Sequence, residues 1–412
     1  MSSANAVELA LVPETQYGTT PPLDTAQGAR IRFTTESLSG TPQTTTSAEN
    51  RTDRMSGGQI VTGLEVGGAI NGELSPDPVY QRLFQMGMMD ASPELSPAPL
   101  VLDGGSFTKD AINPQLATLE IPAGDLEADF APGDMIILAG LADEASNGAS
   151  QIVSIDPSGL SAQIIARREA ITADPIQAGA TATLAEYVEI GSDIISATFS
   201  KAYLDVLHLA STDQHSQRYS GGIVNGFKVD LAYGAIATVA FTILANGYVQ
   251  EHPSLVQKID AAGGDVAEPG TANVLNASID MGLVTVDGMP TEYCIETLSI
   301  TLDNGNTPQN CLGKPAPTKY NPGTANITID ASIYLADPAY DQFMPAKLKQ
   351  TPIGMLFVVS NDDGGYAFEI TAAQLSFPDP NVTGQNAPVM IDASGVAKVG
   401  PGGSSALRVY YW

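Results

Sequence analysis

Residues 60–84, Ile60-Val61-Thr62-Gly63-Leu64-Glu65-Val66-Gly67-Gly68-Ala69-Ile70-Asn71-Gly72-Glu73-Leu74-Ser75-Pro76-Asp77-Pro78-Val79-Tyr80-Gln81-Arg82-Leu83-Phe84, describe a long alternating strand, an Asp-Pro turn and a short amphipathic helix. The even positions Ile60, Leu64, Val66, Ile70 and Leu74 are apolar, and Gly63, Glu65, Asn71 and Glu73 stand between them. Period-two alternation places one face on a core and the other in water. Asp77 is suited to cap a helix, and Pro78 fits its first position, where the missing N–H costs nothing. Tyr80, Leu83 and Phe84 then share one helix face.

Residues 325–344 repeat the pattern. Ala325, Ile327, Ile329, Ala331, Ile333 and Leu335 alternate with Thr324, Asn326, Thr328, Asp330, Ser332 and Tyr334. Asp337-Pro338-Ala339-Tyr340 follows, and Tyr340, Phe343 and Met344 share a face. Leu74 lies three residues before its Asp and Leu335 two before its own, which implies a bulge or a one-residue indel. Strand, turn and helix recur in the same order, so the chain reads as two copies of one structural unit. Two copies double the equivalent surfaces a subunit offers, which suits an assembly.

At 412 residues the chain suits two or three domains. Forty Gly and 28 Pro favour strands and turns. The 46 acidic residues outnumber 18 basic ones, for a net charge of −28. That balance argues against a protein that grips nucleic acid through its phosphates, and permits a surface that repels it. Met1 to Glu14 lacks the basic and apolar regions of a secretion signal. The apolar stretch 235–245 is too short and too interrupted by Thr to span a membrane, so no membrane anchor is expected. Cys294 and Cys311 form no metal motif, and free thiols are the expectation.

Five pieces follow along the chain. Residues 1–30 carry no Lys or Arg before Arg30 and read as an extended arm. Residues 31–97 and 188–253 form the first unit. In the latter, Phe227, Val229 and Leu231 alternate up to a turn near Gly234, and Val239, Phe241 and Ile243 alternate after it. Residues 98–187 read as an inserted small β domain, a barrel or a sandwich, from strand–turn–strand spacing around Gly133-Asp134, Asn147-Gly148 and 164–166. Residues 254–400 form the second unit, with a hairpin flanking Asn361-Asp362-Asp363-Gly364-Gly365. Residues 401–412 are a tail on a Gly/Ser tether. Its Tyr410, Tyr411 and Trp412 dock either on a neighbouring subunit by strand addition or on their own domain. Segments 39–58 and 303–323 precede the two repeat strands, look too polar for a core, and read as long loops.

Catalytic signatures are missing from the sequence: there is no HExxH, no Gly-x-Ser-x-Gly, no P-loop and no Gly-x-Gly-x-x-Gly. His208, His215 and His252 are the only histidines, without an acidic pair at metal-ligand spacing. Asn361-Asp362-Asp363-Gly364 lacks the later Glu of a calcium loop. No enzyme, metal or cofactor is expected.

Several stretches resemble the major tail tube proteins of long-tailed, siphovirus-like bacteriophages. They are Val12-Pro13-Glu14-Thr15-Gln16-Tyr17-Gly18-Thr19, Phe33-Thr34-Thr35-Glu36-Ser37-Leu38, and Ser47-Ala48-Glu49-Asn50-Arg51. Beyond the strand entering Asp77-Pro78 come Tyr219-Ser220-Gly221-Gly222-Ile223-Val224-Asn225-Gly226-Phe227 and Leu298-Ser299-Ile300-Thr301-Leu302-Asp303-Asn304. The order holds across most of the chain outside 98–187. The resemblance implies a mainly β fold of two tube-type sandwich units, each with a flanking helix, and an inserted small-barrel or immunoglobulin-like domain. It implies rings of three two-unit subunits, or six, stacked around a lumen. On that reading Glu65, Glu73, Thr324, Asn326, Thr328 and Asp330 face the lumen. Thr44, Thr45, Arg51, Arg54, Asn306, Gln309 and Lys314 lie in loops reaching the next ring. The implied partners are the chain itself, tape-measure, tail terminator and tail-tip proteins, and transiting DNA that is not tightly bound. The implied location is the virion tail, assembled in the host bacterial cytoplasm. The alternative class is an extracellular or surface-layer structural or adhesive β-protein.

Overall fold

The computed structural model describes all residues except 1–2, 50–57, 94–97, 111–115, 123–124, 143–145, 166–175, 210, 287–288, 291–293, 337–340, 342, 346–349, 381–383 and 386. The chain is mainly β.

The central feature is one long ladder of eight strands. In order these are Ser39–Thr46, Gln59–Glu73, Thr238–Ala245, the second half of Gln214–Ala232, Ile295–Asp303, Asn326–Tyr334, Met390–Ala397 and the end of Gly364–Ser376. Alternation creates it. Phe227, Val229, Leu231, Leu298, Ile300, Leu302, Ile327 and Ile329 all lie at 3 % exposure or less, while Lys228, Ser299, Thr301 and Asp330 face outward between them.

Two shorter outer ladders lie behind it. The first runs Val7–Pro13, Ala197–Leu207, the first half of Gln214–Ala232, then Gly247–Glu251. The second runs Met281–Val286, Ile353–Asn361, the first half of Gly364–Ser376, then Leu407–Tyr411, with Glu186–Glu189 added at its edge. Each long strand therefore passes from an outer ladder into the central one, and a bulge marks each bend. Ala197 pairs with Gly222 but Phe199 with Tyr219; Ile353 pairs with Ala373 but Met355 with Ile370. An extra residue lets the strand turn. At the first bend Gly221 has φ +61°, and an added Cβ would run into Asn246.

The Pro78–Met88 helix fills the space between ladders. Asp77 caps it by accepting from the Val79 N–H at 2.8 Å, and its other oxygen accepts from Gly270 N–H at 3.0 Å. Phe84 sits with its ring centroid 4.9 Å from Phe227 and 5.2 Å from Phe241 in the central ladder. It is also 5.3 Å from Tyr366 and 5.9 Å from Phe368 in the second outer ladder. A helix from the first half thus joins both halves. The second repeat's Asp337-Pro338-Ala339-Tyr340 lies outside the described residues, but Asp341 and Phe343 to Pro345 are helical and Phe343 is buried.

The extended arm expected over 1–30 is packed into the fold at Val7–Pro13, where Leu9, Ala10, Leu11 and Val12 are buried. Helix Leu255–Ala262, closed by a Ser254–Gln257 capping box, packs Leu255, Val256 and Ile259 on Ala10 and Val12. Segment 39–58 begins as a strand, and 303–323 contains a small hairpin of Thr307–Gln309 with Lys319–Asn321. The tail docks on its own chain: Tyr411 pairs with Tyr366 and with Glu186, and Tyr410 is fully buried.

Residues 100–184 supply a separate sheet of seven strands with its own core. Among the described residues its strand order is open rather than closed into a barrel. It follows the first-half helix in sequence yet rests on the second half. Met135, Ala149, Ile165 and Ala185 pack against Leu283, Leu356, Val358, Ala367 and Tyr410. Beside this contact Tyr410 donates to Glu369 at 2.8 Å. Burial pushes the Glu369 carboxyl up, and the Tyr410 hydrogen bond and Arg408 charge oppose it.

Replacing Phe84 with Ala leaves a cavity shared by both halves. The expected loss is about 3–5 kcal/mol of stability, measured by chemical denaturation.

Candidate functional site: the polar face of the central ladder

The outward face of the central ladder gathers polar side chains from strands distant in sequence. Register sets the neighbours. Asp230 pairs with Ser299, Ser299 with Asp330, and Asp330 with Ser394; Asp230 also pairs with Thr238, and Thr238 with Glu73. Ser332 hydrogen-bonds Asp392 on the next strand. Carboxylates of Glu65, Glu73, Asp230, Asp303, Asp330 and Asp392 therefore share one face, with Lys228 among them and paired to Asp230 at 2.9 Å. Asp230, Ser299, Asp330, Asp392 and Ser394 line a shallow groove there. Such a face presents an acidic, hydroxyl-rich surface.

Of the residues expected to share this face, Glu65, Asn326 and Asp330 are exposed and Glu73 and Thr328 half-buried, all on the ladder, while Thr324 lies exposed just before its strand. Asp230, Asp303 and Asp392 join this face through strand register. The pattern Ile391-Asp392-Ala393-Ser394 carries the same period-two signal in a short strand.

Of the expected inter-ring positions, Arg51 and Arg54 lie outside the described residues. Thr44 and Thr45 are exposed in the Ser39–Thr46 strand. Asn306, Gln309 and Lys314 belong to a loop folded back on the first half. There Leu64 N–H donates to Pro315 C=O at 2.7 Å, Asn246 Nδ2 donates to Thr318 C=O at 3.2 Å, and Tyr320 Oη to Ala245 C=O at 3.2 Å. Leu312 is fully exposed at the loop tip, with Ile60 and Val61 exposed at 58 % and 62 % near the adjacent hairpin tip.

The ladder also has a seam and two edges. The seam joins the halves: Gly226 to Ala232 pair with Asp303 to Thr297, residue for residue. Asn225 Nδ2 donates to Asp303 Oδ1 at 3.0 Å, and Asn304 N–H donates to Asn225 C=O at 2.8 Å. At the outer ends, Ser39–Thr46 and Gln374 to Ser376 each pair with one strand among the described residues.

Among the described residues no group of three or more His, Cys, Asp or Glu is arranged to hold a metal ion, and no helix is long and apolar enough to cross a membrane. Cys294 and Cys311 are free and exposed.

A family model described as phage tail tube protein matches residues 4–397. The chain belongs to that family, and is a structural component of the bacteriophage virion tail. No curated protein matches it.

Lysine at Asp230, Asp330 and Asp392 reverses the sign of the face. The triple variant is expected to retain short duplex DNA at low salt and release it as salt rises, while the native chain retains none; fluorescence anisotropy reads both.

Proposed function

We propose that the chain closes into rings whose central ladders join into a barrel, and that the rings stack into a conduit for DNA ejection. The observation that carries this is the seam. Two halves of one chain already join edge to edge by backbone hydrogen bonds, and the free edges left at 39–46 and 374–376 are the matching pair. An unpaired edge invites pairing with another chain, and closure removes it.

The two halves read as a duplication of one sandwich unit. Their strand orders correspond, and both bends carry the same bulge. If the junction between chains repeats the seam, the stretch after Gln374 of one subunit lies beside Thr35 to Thr41 of the next. Three subunits then supply six units. The acidic face turns to the lumen, where carboxylates repel phosphates and DNA passes without sticking. Tape-measure, terminator and tail-tip proteins complete the tail, and assembly takes place in the host cytoplasm.

Electron microscopy of the purified protein over a range of concentration and salt tests the proposal. Rings and hollow tubes are expected; solid filaments or flat sheets would move the surface-layer alternative to first place. Stacking uses the apolar tips at Leu312 and Val61, so aspartate at both positions is expected to leave rings and abolish tubes.

A further inference from the structure

The helix-facing sides of the two outer ladders differ in chemistry. In the second half that side is apolar: Tyr366, Phe368, Val409 and Tyr411 are buried or nearly so, and Phe84 packs there. The matching bulges align Gly222 with Ala373, which places His215 where the second half has Tyr366 and Gln217 where it has Phe368. The pairings of Tyr219 with Tyr248 and of Ile370 with Leu407 likewise place Gln250 at Val409 and His252 at Tyr411.

The chain's three histidines meet on this polar side. His208 and His252 are stacked with centroids 4.0 Å apart, and His215 is 5.8 Å and 5.6 Å from them. His252 and Gln250 are exposed, and His208 and His215 half-buried. The nearby Glu251 is held by Lys258 at 2.5 Å and Arg218 at 3.7 Å.

The second helix supplies a matching group. Aligning Asp337-Pro338 on Asp77-Pro78 puts Asp341 at the position of Gln81 and Met344 at that of Phe84. Gln81 lines a pocket with Tyr411 and Trp412. Asp341 is exposed on its helix, while Phe343 beside it is buried with its ring 6.3 Å from Phe377 in its own half.

We propose, on the ring arrangement above, that the histidine face docks the helical segment carrying Asp341 in a second copy of this chain, with Asp341 against His252. Imidazole N–H groups donate to the carboxylate. The contact is the polar counterpart of the Phe84 contact made inside each chain. In a chain of net charge −28, this face is one place where a carboxylate of a second copy meets donors that other acids do not already occupy.

Cysteine at positions 252 and 341, with Cys294 and Cys311 changed to Ser, tests it in the full chain with a short bis-maleimide. Hollow tubes whose subunits run as covalent dimers and higher species on a denaturing gel are expected. Tubes without such species, or with only internally linked monomers, overturn the docking surface and leave the ring arrangement standing. No rings or tubes from the native chain at any concentration overturns both. Independently, Asp341→Lys is expected to raise the concentration needed for assembly about tenfold, and His252→Asp on that background to restore it. Failure to restore it counts against the pairing.

Discussion

Everything in this chain depends on the backbone pairing of Gly226 to Ala232 with Thr297 to Asp303. Without it the chain would be two halves on a linker; with it there is one continuous sheet whose polar side is common to both halves. The pairing is reinforced from behind. Phe84 touches aromatic rings of the central ladder's first half and of the outer ladder's second half, so the seam cannot open without exposing a large apolar cluster. Asn304 adds a buried clamp, donating from Nδ2 to Gly87 C=O at 2.7 Å. A hydrogen bond there is costly to leave unmade, because burial removes the water that would replace it.

Strands with one wet face were legible in the sequence. Gln59–Glu73, Asn326–Tyr334 and the Gly234 hairpin alternate because a core lies on one side and solvent on the other. Strands wet on both sides or dry on both sides were not. Ser39–Thr46 is exposed almost throughout, so its Thr and Gln residues looked like a loop. Val7–Pro13 and Leu407–Tyr411 are buried on both faces, one beneath a helix and the other beneath the inserted domain, and neither alternates.

The site was half legible for the same reason. Glu65, Glu73 and Asp330 sit in strands whose period is visible, whereas Asp230 and Asp392 acquire meaning only when register brings their strands beside Asp330. The histidines are a stronger case. His208 and His215 flank a hairpin and His252 follows a different strand, so spacing along the chain carries no sign of their meeting. The inserted domain is another, since it leaves the first half in sequence but docks on the second.

The two halves share a plan, yet their helix-facing sides are not interchangeable. A contact made inside one chain forms once, during folding, and can be as apolar as packing allows; Phe84 against Tyr366 and Phe368 is of that kind. A contact made between chains must remain in water until the partner arrives. An apolar cluster of the same size on a free subunit would be an exposed patch of the sort that drives aggregation. Histidine and glutamine at the equivalent positions in the first half keep that surface hydrated and still offer donors to a carboxylate. On the proposed duplication and ring arrangement, one unit geometry serves a permanent joint and a deferred one, with side-chain polarity setting which is which.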